Sequence, residues 1–294
     1  MIYDIRHLTI YQYGAPVGFS RCALRVLPSD GPGQTIVSTG VTVDPAPSAT
    51  EAGRCFFGNR LTMIAIKAPH RTLKVDARTV ARIDRTPPPA ADLTPGWEAA
   101  REEAFASSSL APESPAHFLH ASRLVPRFAP AADYARASFP AQRPVLAGAA
   151  ELMARIHADF RYDPEATVVS TPLAEAFEKR RGVCQDFAHI MIAALRGIGL
   201  PAAYVSGYLR TRPPEGKPRL EGADASHAWV AVWCGATLGW VGLDPTNAIM
   251  IGNDHIILAR GRDYADVSPI SGIILGSQEQ SVEVKVDVVP REQG

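Results

Sequence analysis

Over the first 85 residues apolar side chains recur at every second position. Cys22, Leu24 and Val26 alternate with polar neighbours, as do Val37, Thr39, Val41 and Val43, and then Leu73, Val75 and Ala77. A period of two marks strands with one buried face. Gly31-Pro32-Gly33, Asp44-Pro45-Ala46-Pro47 and Gly58-Asn59 fall between these runs as turn signals. The pattern predicts an antiparallel β sandwich or barrel over residues 1–85, a separate domain with no reactive cluster of its own.

The period then breaks. Residues 86–144 hold 10 of the chain's 25 prolines and open on Thr86-Pro87-Pro88-Pro89, which reads as a Pro/Ala-rich linker with short helices. Trp97 to Ala106 is helix-prone, and Pro112, Pro115, Pro126, Pro130 and Pro140 forbid a long helix after it. Helical spacing returns at Val145–His157, again at Leu173–Lys179 behind Ser170-Thr171-Pro172, and a third time from near Cys184. Strands are predicted over Ala203–Leu209, His227–Trp233, Trp240–Asp244, His255–Ala259, Ile270–Leu275 and Ser281–Val289. Helices in one run and strands in the next argue an α+β domain over residues 145–294.

Composition narrows the function classes. Thirty Lys and Arg balance thirty Asp and Glu, so the basic excess of a nucleic-acid binder is missing and no nucleic-acid partner is expected. No stretch approaches 18 uninterrupted apolar residues, and Asp4 and Arg6 interrupt the start; the expectation is a cytoplasmic protein without a membrane partner. Cys22, Cys55, Cys184 and Cys234 are scattered and form no CxxC pair. That spacing suits neither a disulfide framework nor a zinc site, and no cofactor is expected.

One cysteine stands apart. Phe187, Ile190, Met191, Ala194 and Leu195 recur at three- and four-residue spacing, which predicts a helix buried along one stripe. Gly182 precedes it and Gly197 and Gly199 follow it, so Cys184 falls in the first turn. There the helix dipole and unpaired N–H groups favour thiolate over thiol. Asp186 and His189 lie close by in sequence but about 200° and 140° around the helix from Cys184; they read as hydrogen-bonding supports, with no metal site.

A base and its orienter come from strand register. His227 to Trp233 and Trp240 to Asp244 both alternate. A hairpin in which paired positions sum to 471 has a four-residue loop, Cys234 to Thr237, and sets His227 opposite Asp244 with Cβ atoms about 4.5 to 5.5 Å apart. A one-residue slip would separate them onto opposite faces. A histidine oriented by a carboxylate is the base and orienter of a nucleophilic triad. No G-x-S-x-G competes with it.

These segments resemble the bacterial transglutaminase-like proteins of the papain-like cysteine hydrolase superfamily. Gly182-Val183-Cys184-Gln185-Asp186-Phe187-Ala188-His189, Gly199-Leu200-Pro201-Ala202, Tyr204 to Tyr208, His227-Ala228-Trp229-Val230 and Gly242 to Asn247 stand in the family's order. Gly261 to Val267 resembles its C-terminal signature, and Tyr3 to Pro28 its N-terminal β domain. The resemblance implies a papain-like core of helices packed on an antiparallel sheet, with Cys184, His227 and Asp244 as the triad.

The activity so implied is cysteine-dependent acyl transfer on amide bonds through a thioester. Water as acceptor makes a peptidase, amidase or deamidase acting on a peptide or protein substrate, and hydrolysis is the leading expectation because water is always present. An amine acceptor would make a cross-linking transglutaminase, and a non-catalytic binding or scaffold module remains a third reading. Tyr208, Trp229 and Gln185 are the candidates for lining the substrate groove, and Arg262 with Asp263 reads as a structural pair. Nothing in the pattern fixes an oligomeric state.

Overall fold

A computed structural model describes residues 1–211, 225–277 and 279–291. The architecture is α+β, with all three large sheets antiparallel. Six strands come from the N-terminal region: β1 (Ile2–Val17), β2 (Phe19–Leu24), β3 (Gln34–Asp44), β4 (Ala49–Arg54), β5 (Arg60–Ile66) and β6 (His70–Ile83). Then follow α1 (Trp97–Ala106), α2 (Ala129–Arg136), α3 (Val145–Asp159), β7 (Arg161–Tyr162), α4 (Leu173–Lys179), β8 (Arg181–Gly182) and α5 (Cys184–Gly197). The chain closes with β9 (Ala202–Leu209), β10 (Ala225–Trp233), β11 (Trp240–Asp244), β12 (Ile249–Met250), β13 (His255–Gly261), α6 (Tyr264–Val267), β14 (Ile270–Leu275) and β15 (Gln280–Pro290). The helix at Trp97–Ala106 and the strands at Trp240–Asp244 and Ile270–Leu275 have the bounds the pattern predicts. No helix among the described residues is long and apolar enough to cross a membrane.

The last two strands do not join the sheet that their position in the chain suggests. β15 pairs with β1 in the order β15-β1-β6-β3, and β14 pairs with β2 in the order β14-β2-β5-β4. Residues 1–85 therefore do not make a closed domain, and residues 145–294 do not keep all their strands to themselves. The two N-terminal sheets pack face to face through Tyr13, Val17, Leu73 and Val75 against Cys22, Leu24, Ile64 and Ile66. β1 is long enough to run past that sandwich, and the same face of its first half meets the second domain. Tyr3, Ile5, Ala81, Ile83, Val286 and Val288 form one buried cluster with Tyr208, Ile256 and Leu258.

Polar devices seal the same seam. β13 is the outer strand of the sheet β12-β11-β10-β9-β13, and an unpaired strand edge must find partners or be covered. The Gln34 amide donates to Ile257 O at 2.7 Å and accepts from Ile257 N–H at 2.8 Å. Asn59 does the same at Arg260, with 2.8 and 2.9 Å contacts. Arg85 donates to Gly252 O at 2.8 Å and to His255 O. Two side-chain amides and a guanidinium thus take the place of a neighbouring strand.

The centre of the second domain is α5. Every residue from Gln185 to Arg196 is buried, so the helix is enclosed all round and not along a single stripe, as suits a helix with polar residues only where partners await them. Asp186 and His189 interrupt the apolar run near its start. Arg196 closes the far end: its guanidinium donates to Ala202 O at 2.8 and 3.1 Å, to His120 O at 3.1 Å, to Ser122 Oγ at 3.2 Å and to Arg262 O at 2.7 Å. The proline-rich segment is thereby tied to the core helix.

Two outcomes follow from the seam. Deleting residues 1–83 removes the partners of β14 and β15 and uncovers Tyr208, Ile256 and Leu258, so the remainder is expected to lack a cooperative thermal transition. A soluble, cooperatively melting fragment by circular dichroism would contradict this account. The second outcome concerns acid. His7 is buried against Tyr208, its Nδ1 sharing a hydrogen bond with the Tyr208 hydroxyl at 2.9 Å, and burial pushes its pKa down from 6.5 to about 4. Between those values the unfolded chain binds the extra proton, so this contribution is present above pH 6.5 and is lost as pH falls toward 4, at about 1.4 kcal/mol per pH unit at most. His7→Gln should shrink the loss of urea-unfolding free energy between pH 7 and pH 5; an unchanged loss would show that another group controls it.

Candidate active site

The start of α5 is fixed before any catalytic role is considered. The Asp186 carboxylate reaches back to accept the Val183 N–H at 2.8 Å and the Thr167 hydroxyl at 2.6 Å. This is a helix cap supplied by the third residue. Burial raises the Asp186 pKa, partly offset by the Thr167 and Val183 hydrogen bonds. Gly182 permits the approach, since a Cβ there would lie 2.4 Å from Asp186 Oδ2. Cys184 is left in the first turn, half-buried, and among the described residues no acceptor meets its backbone N–H. His189 faces away, accepting the Tyr264 N–H at 3.2 Å. Both polar residues near Cys184 therefore hold structure together.

His227 and Asp244 meet, though not in the predicted register. The observed pairs are Trp233↔Trp240, Val232↔Val241, Ala231↔Gly242 and Val230↔Leu243, a sum of 473. The connecting loop is Cys234 to Gly239, not Cys234 to Thr237, and is closed by Cys234 N–H to Gly239 O and Gly239 N–H to Gly235 O, each 2.8 Å. Gly235 (φ 91°) and Gly239 (φ 71°) supply its left-handed positions. The difference of two residues keeps every side chain on its predicted face. His227 becomes the diagonal neighbour of Asp244 and still reaches it, Nε2 to Oδ2, at 2.8 Å.

Asp244 is wholly buried, and both of its oxygens are engaged. Oδ1 accepts the Thr246 and Asn247 N–H groups at 3.0 and 3.3 Å. Oδ2 accepts the Asn247 amide at 2.7 Å and His255 Nε2–H at 3.4 Å in addition to His227. Burial alone would raise its pKa; the hydrogen bonds from His227, His255 and Asn247 and the charge of His227 lower it well below the carboxylate range. At His227 burial again opposes the charged form, but the Asp244 hydrogen bond, the neighbouring Cys184 and the charges of both raise the imidazole to about 10. With Nε2 taken by Asp244, Nδ1 is the nitrogen left for the thiol.

The proposed groove residues stand elsewhere. Tyr208 is buried in the seam against His7, and Trp229 is completely buried, its ring filling the space over Gly207, where a Cβ would come within 2.3 Å. Neither can wall an open groove. Gln185 is buried as well and donates to Val169 O at 3.1 Å, holding the loop before α4. Arg262 pairs with Asp266 at 2.9 Å, not with Asp263, whose carboxylate caps α6 at Ala265 N–H and accepts Leu124 N–H. The exposed ring near Cys184 is instead Tyr162, paired with Gly182 across β7 and β8, while Val168 and Val169 are exposed in the loop whose Val169 carbonyl takes the Gln185 amide. Asn247 and His255 also escape the sequence reading; the Asp-Pro-Thr-Asn turn is the signal for Asn247, whereas His255 has none beyond its place at a strand start. A cavity of about 1260 Å³ is bordered by Trp97, Phe105, Phe128 and Arg196 at the far end of α5, roughly 20 Å along the helix from Cys184.

Similarity to known proteins follows the same division of the chain. The bacterial transglutaminase-like N-terminal region matches residues 3–82, and the transglutaminase-like superfamily core matches residues 133–245. An uncharacterized protein of Mycobacterium tuberculosis is 41% identical over 304 residues, spanning 99% of this chain and 93% of that protein. A shorter match, 33% identical over 103 residues, joins 32% of this chain to 15% of the protein-glutamine gamma-glutamyltransferase of Pseudomonas aeruginosa. Among solved structures, a candidate cysteine protease from Cytophaga hutchinsonii superposes with a TM-score of 0.76 at 19% identity, covering 100% of this chain and 92% of that one.

The electrostatic arrangement predicts how His227 responds to its partner. Asp244→Asn removes the charge that does most to raise the imidazole, and the titration midpoint of His227 by NMR should fall by about one to three pH units. An unmoved midpoint would assign the raised value to Cys184 alone.

Proposed function

The chain belongs to the bacterial transglutaminase-like proteins, and from that premise we propose that it catalyses cysteine-dependent acyl transfer on amide bonds, with hydrolysis as its ordinary outcome. The observation carrying this reading is the His227 imidazole, held by Asp244 at 2.8 Å through Nε2 and raised in pKa by Asp244 and by Cys184. Cys184 is the nucleophile, His227 the acid and base, and Asp244 the group that fixes the imidazole tautomer.

The Cys184 sulfur attacks the carbonyl carbon of a carboxamide or peptide bond. A C–S bond forms, the oxyanion is met by the Cys184 N–H at the helix start, and the C–N bond breaks as His227 gives its proton to the departing ammonia or amine. Water then attacks the thioester, returns a proton to His227 and releases the acid and the thiolate. Cys184 is half-buried and so open to water from its free side, which favours hydrolysis. The 103-residue match to a protein-glutamine gamma-glutamyltransferase favours an amine as second acceptor. The substrate class is a peptide or protein, and Tyr162 is the exposed side chain beside Cys184 placed to meet it.

Iodoacetamide at neutral pH should alkylate Cys184 far faster than Cys22, Cys55 or Cys234; burial raises the Cys22 pKa and pushes Cys234 up to about 12. Equal labelling of all four would sink the nucleophile assignment and leave a binding module. A peptide library incubated with and without a primary amine, read by mass spectrometry, separates acid from amide products. Cys184→Ala and His227→Ala should each lower the rate by about a thousandfold or more.

A further inference from the structure

The contacts around Asp244 assign a role to a second histidine. We propose that His255 is a positioning residue for this site: it holds the Asp244 carboxylate in the orientation that grips His227, and does so from a strand that the N-terminal sheets fix in place. The inference rests on the reading of Cys184, His227 and Asp244 given above.

His255 is buried, 1% exposed, so its ring is not there for solvent. Its Nδ1 accepts the Gly252 N–H at 3.3 Å, which places the proton of the neutral ring on Nε2, the nitrogen 3.4 Å from Asp244 Oδ2. The hydrogen bond made by one ring nitrogen thus dictates what the other can donate. The ring also stands edge-on to Trp229, centroids 5.3 Å apart at 82°, and Trp229 neighbours His227 at 6.2 Å. Two imidazoles therefore share Asp244 Oδ2, the indole stands against both rings, and His255 grips the oxygen that His227 uses.

The backbone of His255 is itself held from outside the domain. Its carbonyl accepts from Arg85, which also binds Gly252 O, and Asn253 Oδ1 accepts the Arg85 N–H at 2.9 Å. Two residues along β13, the Gln34 amide pairs with both backbone groups of Ile257. A shift of the N-terminal sheets would move β13, and His255 would carry that movement to Oδ2. Asn247 also donates to Oδ2, but from the same turn as Asp244, so it cannot transmit a displacement of β13.

The test compares His255→Leu, which removes the donor, with His255→Gln, which keeps an N–H on a side chain of similar reach. The readouts are the pH dependence of Cys184 alkylation by iodoacetamide, the His227 titration by NMR and the thermal midpoint. In His255→Leu the His227 midpoint should fall, by less than in Asp244→Asn. The acid limb of alkylation should move to higher pH, and the rate at neutral pH should drop about two- to tenfold, the span of one net hydrogen bond. His255→Gln should recover most of both. If the Leu variant does not hold its fold, His255→Asn, whose shorter amide falls short of Oδ2, replaces it in the comparison. Unmoved His227 and alkylation profiles in a folded variant lacking the donor, or equal losses in the Gln and Leu variants, would overturn the proposal. Failure of the underlying reading looks different: Cys184 of the unaltered protein would then show no preferential alkylation.

Discussion

An ionised carboxylate with no exposure to water governs the arrangement of the second domain. Removing such a group from solvent costs several kcal/mol unless its lone pairs are filled by donors. Asp244 meets that demand with donors from three places: His227 on β10, His255 on β13, and Thr246 and Asn247 in the turn that follows Asp244 itself. The turn is available because Pro245 lacks the N–H that would continue a ladder. Each donor restricts a different element, so the end of β11 cannot move relative to β10 or β13 without stranding a buried charge. The same charge is what keeps the His227 imidazole in its protonated form against burial.

How much of this could be read beforehand depended on what alternation encodes. A period of two assigns each side chain a face, which is why His227 and Asp244 could be placed together from sequence. It does not distinguish registers that differ by two, because both bury the same residues. The choice between a loop ending at Thr237 and one ending at Gly239 turned on Trp233, which pairs with Trp240 at a ring separation of 5.6 Å instead of with Leu238. Aromatic cross-strand pairing and a second left-handed glycine decided the register. Burial misled in the opposite direction at Tyr208 and Trp229: aromatic residues beside a reactive group suggest a groove, yet nothing local records that the N-terminal sheets cover one and that Gly207 makes room for the other.

The division into domains was less legible still, for a topological reason. β1 and β15 pair Tyr3 with Pro290, and no feature of either strand names a partner so distant. Alternation is the same whichever sheet a strand joins. The clamps on β13 were hidden similarly: Asn59 lies in a turn and reads as a turn former, and nothing in the alternation marks Gln34 or Arg85. Their function as substitutes for a missing strand appears only when the edge they cover is known. Helical segments fared better, since propensity and proline positions are local: α1 spans the helix-prone Trp97–Ala106, and α4 begins at Leu173, directly after Pro172.

These constraints act on opposite sides of the contact that matters for chemistry. α5 is pinned axially at both ends, by Asp186 on Val183 and Thr167 at its start and by Arg196 on four neighbouring groups at its finish. The sheet is pinned by Asp244 from within and by Gln34, Asn59 and Arg85 from outside. Cys184 belongs to the first system and His227 to the second. In the acyl transfer proposed above, the thiol and the imidazole can therefore part and meet again as bonds to an acyl group form and break while both supports stay in place. Reacting groups held by separate rigid supports meet the requirement of an acyl-transfer site, where small displacements of either are costly in rate. On that reading the N-terminal sheets, whose Gln34, Asn59 and Arg85 hold the β13 side of the sheet, belong to the reactive geometry although they contribute no reacting atom.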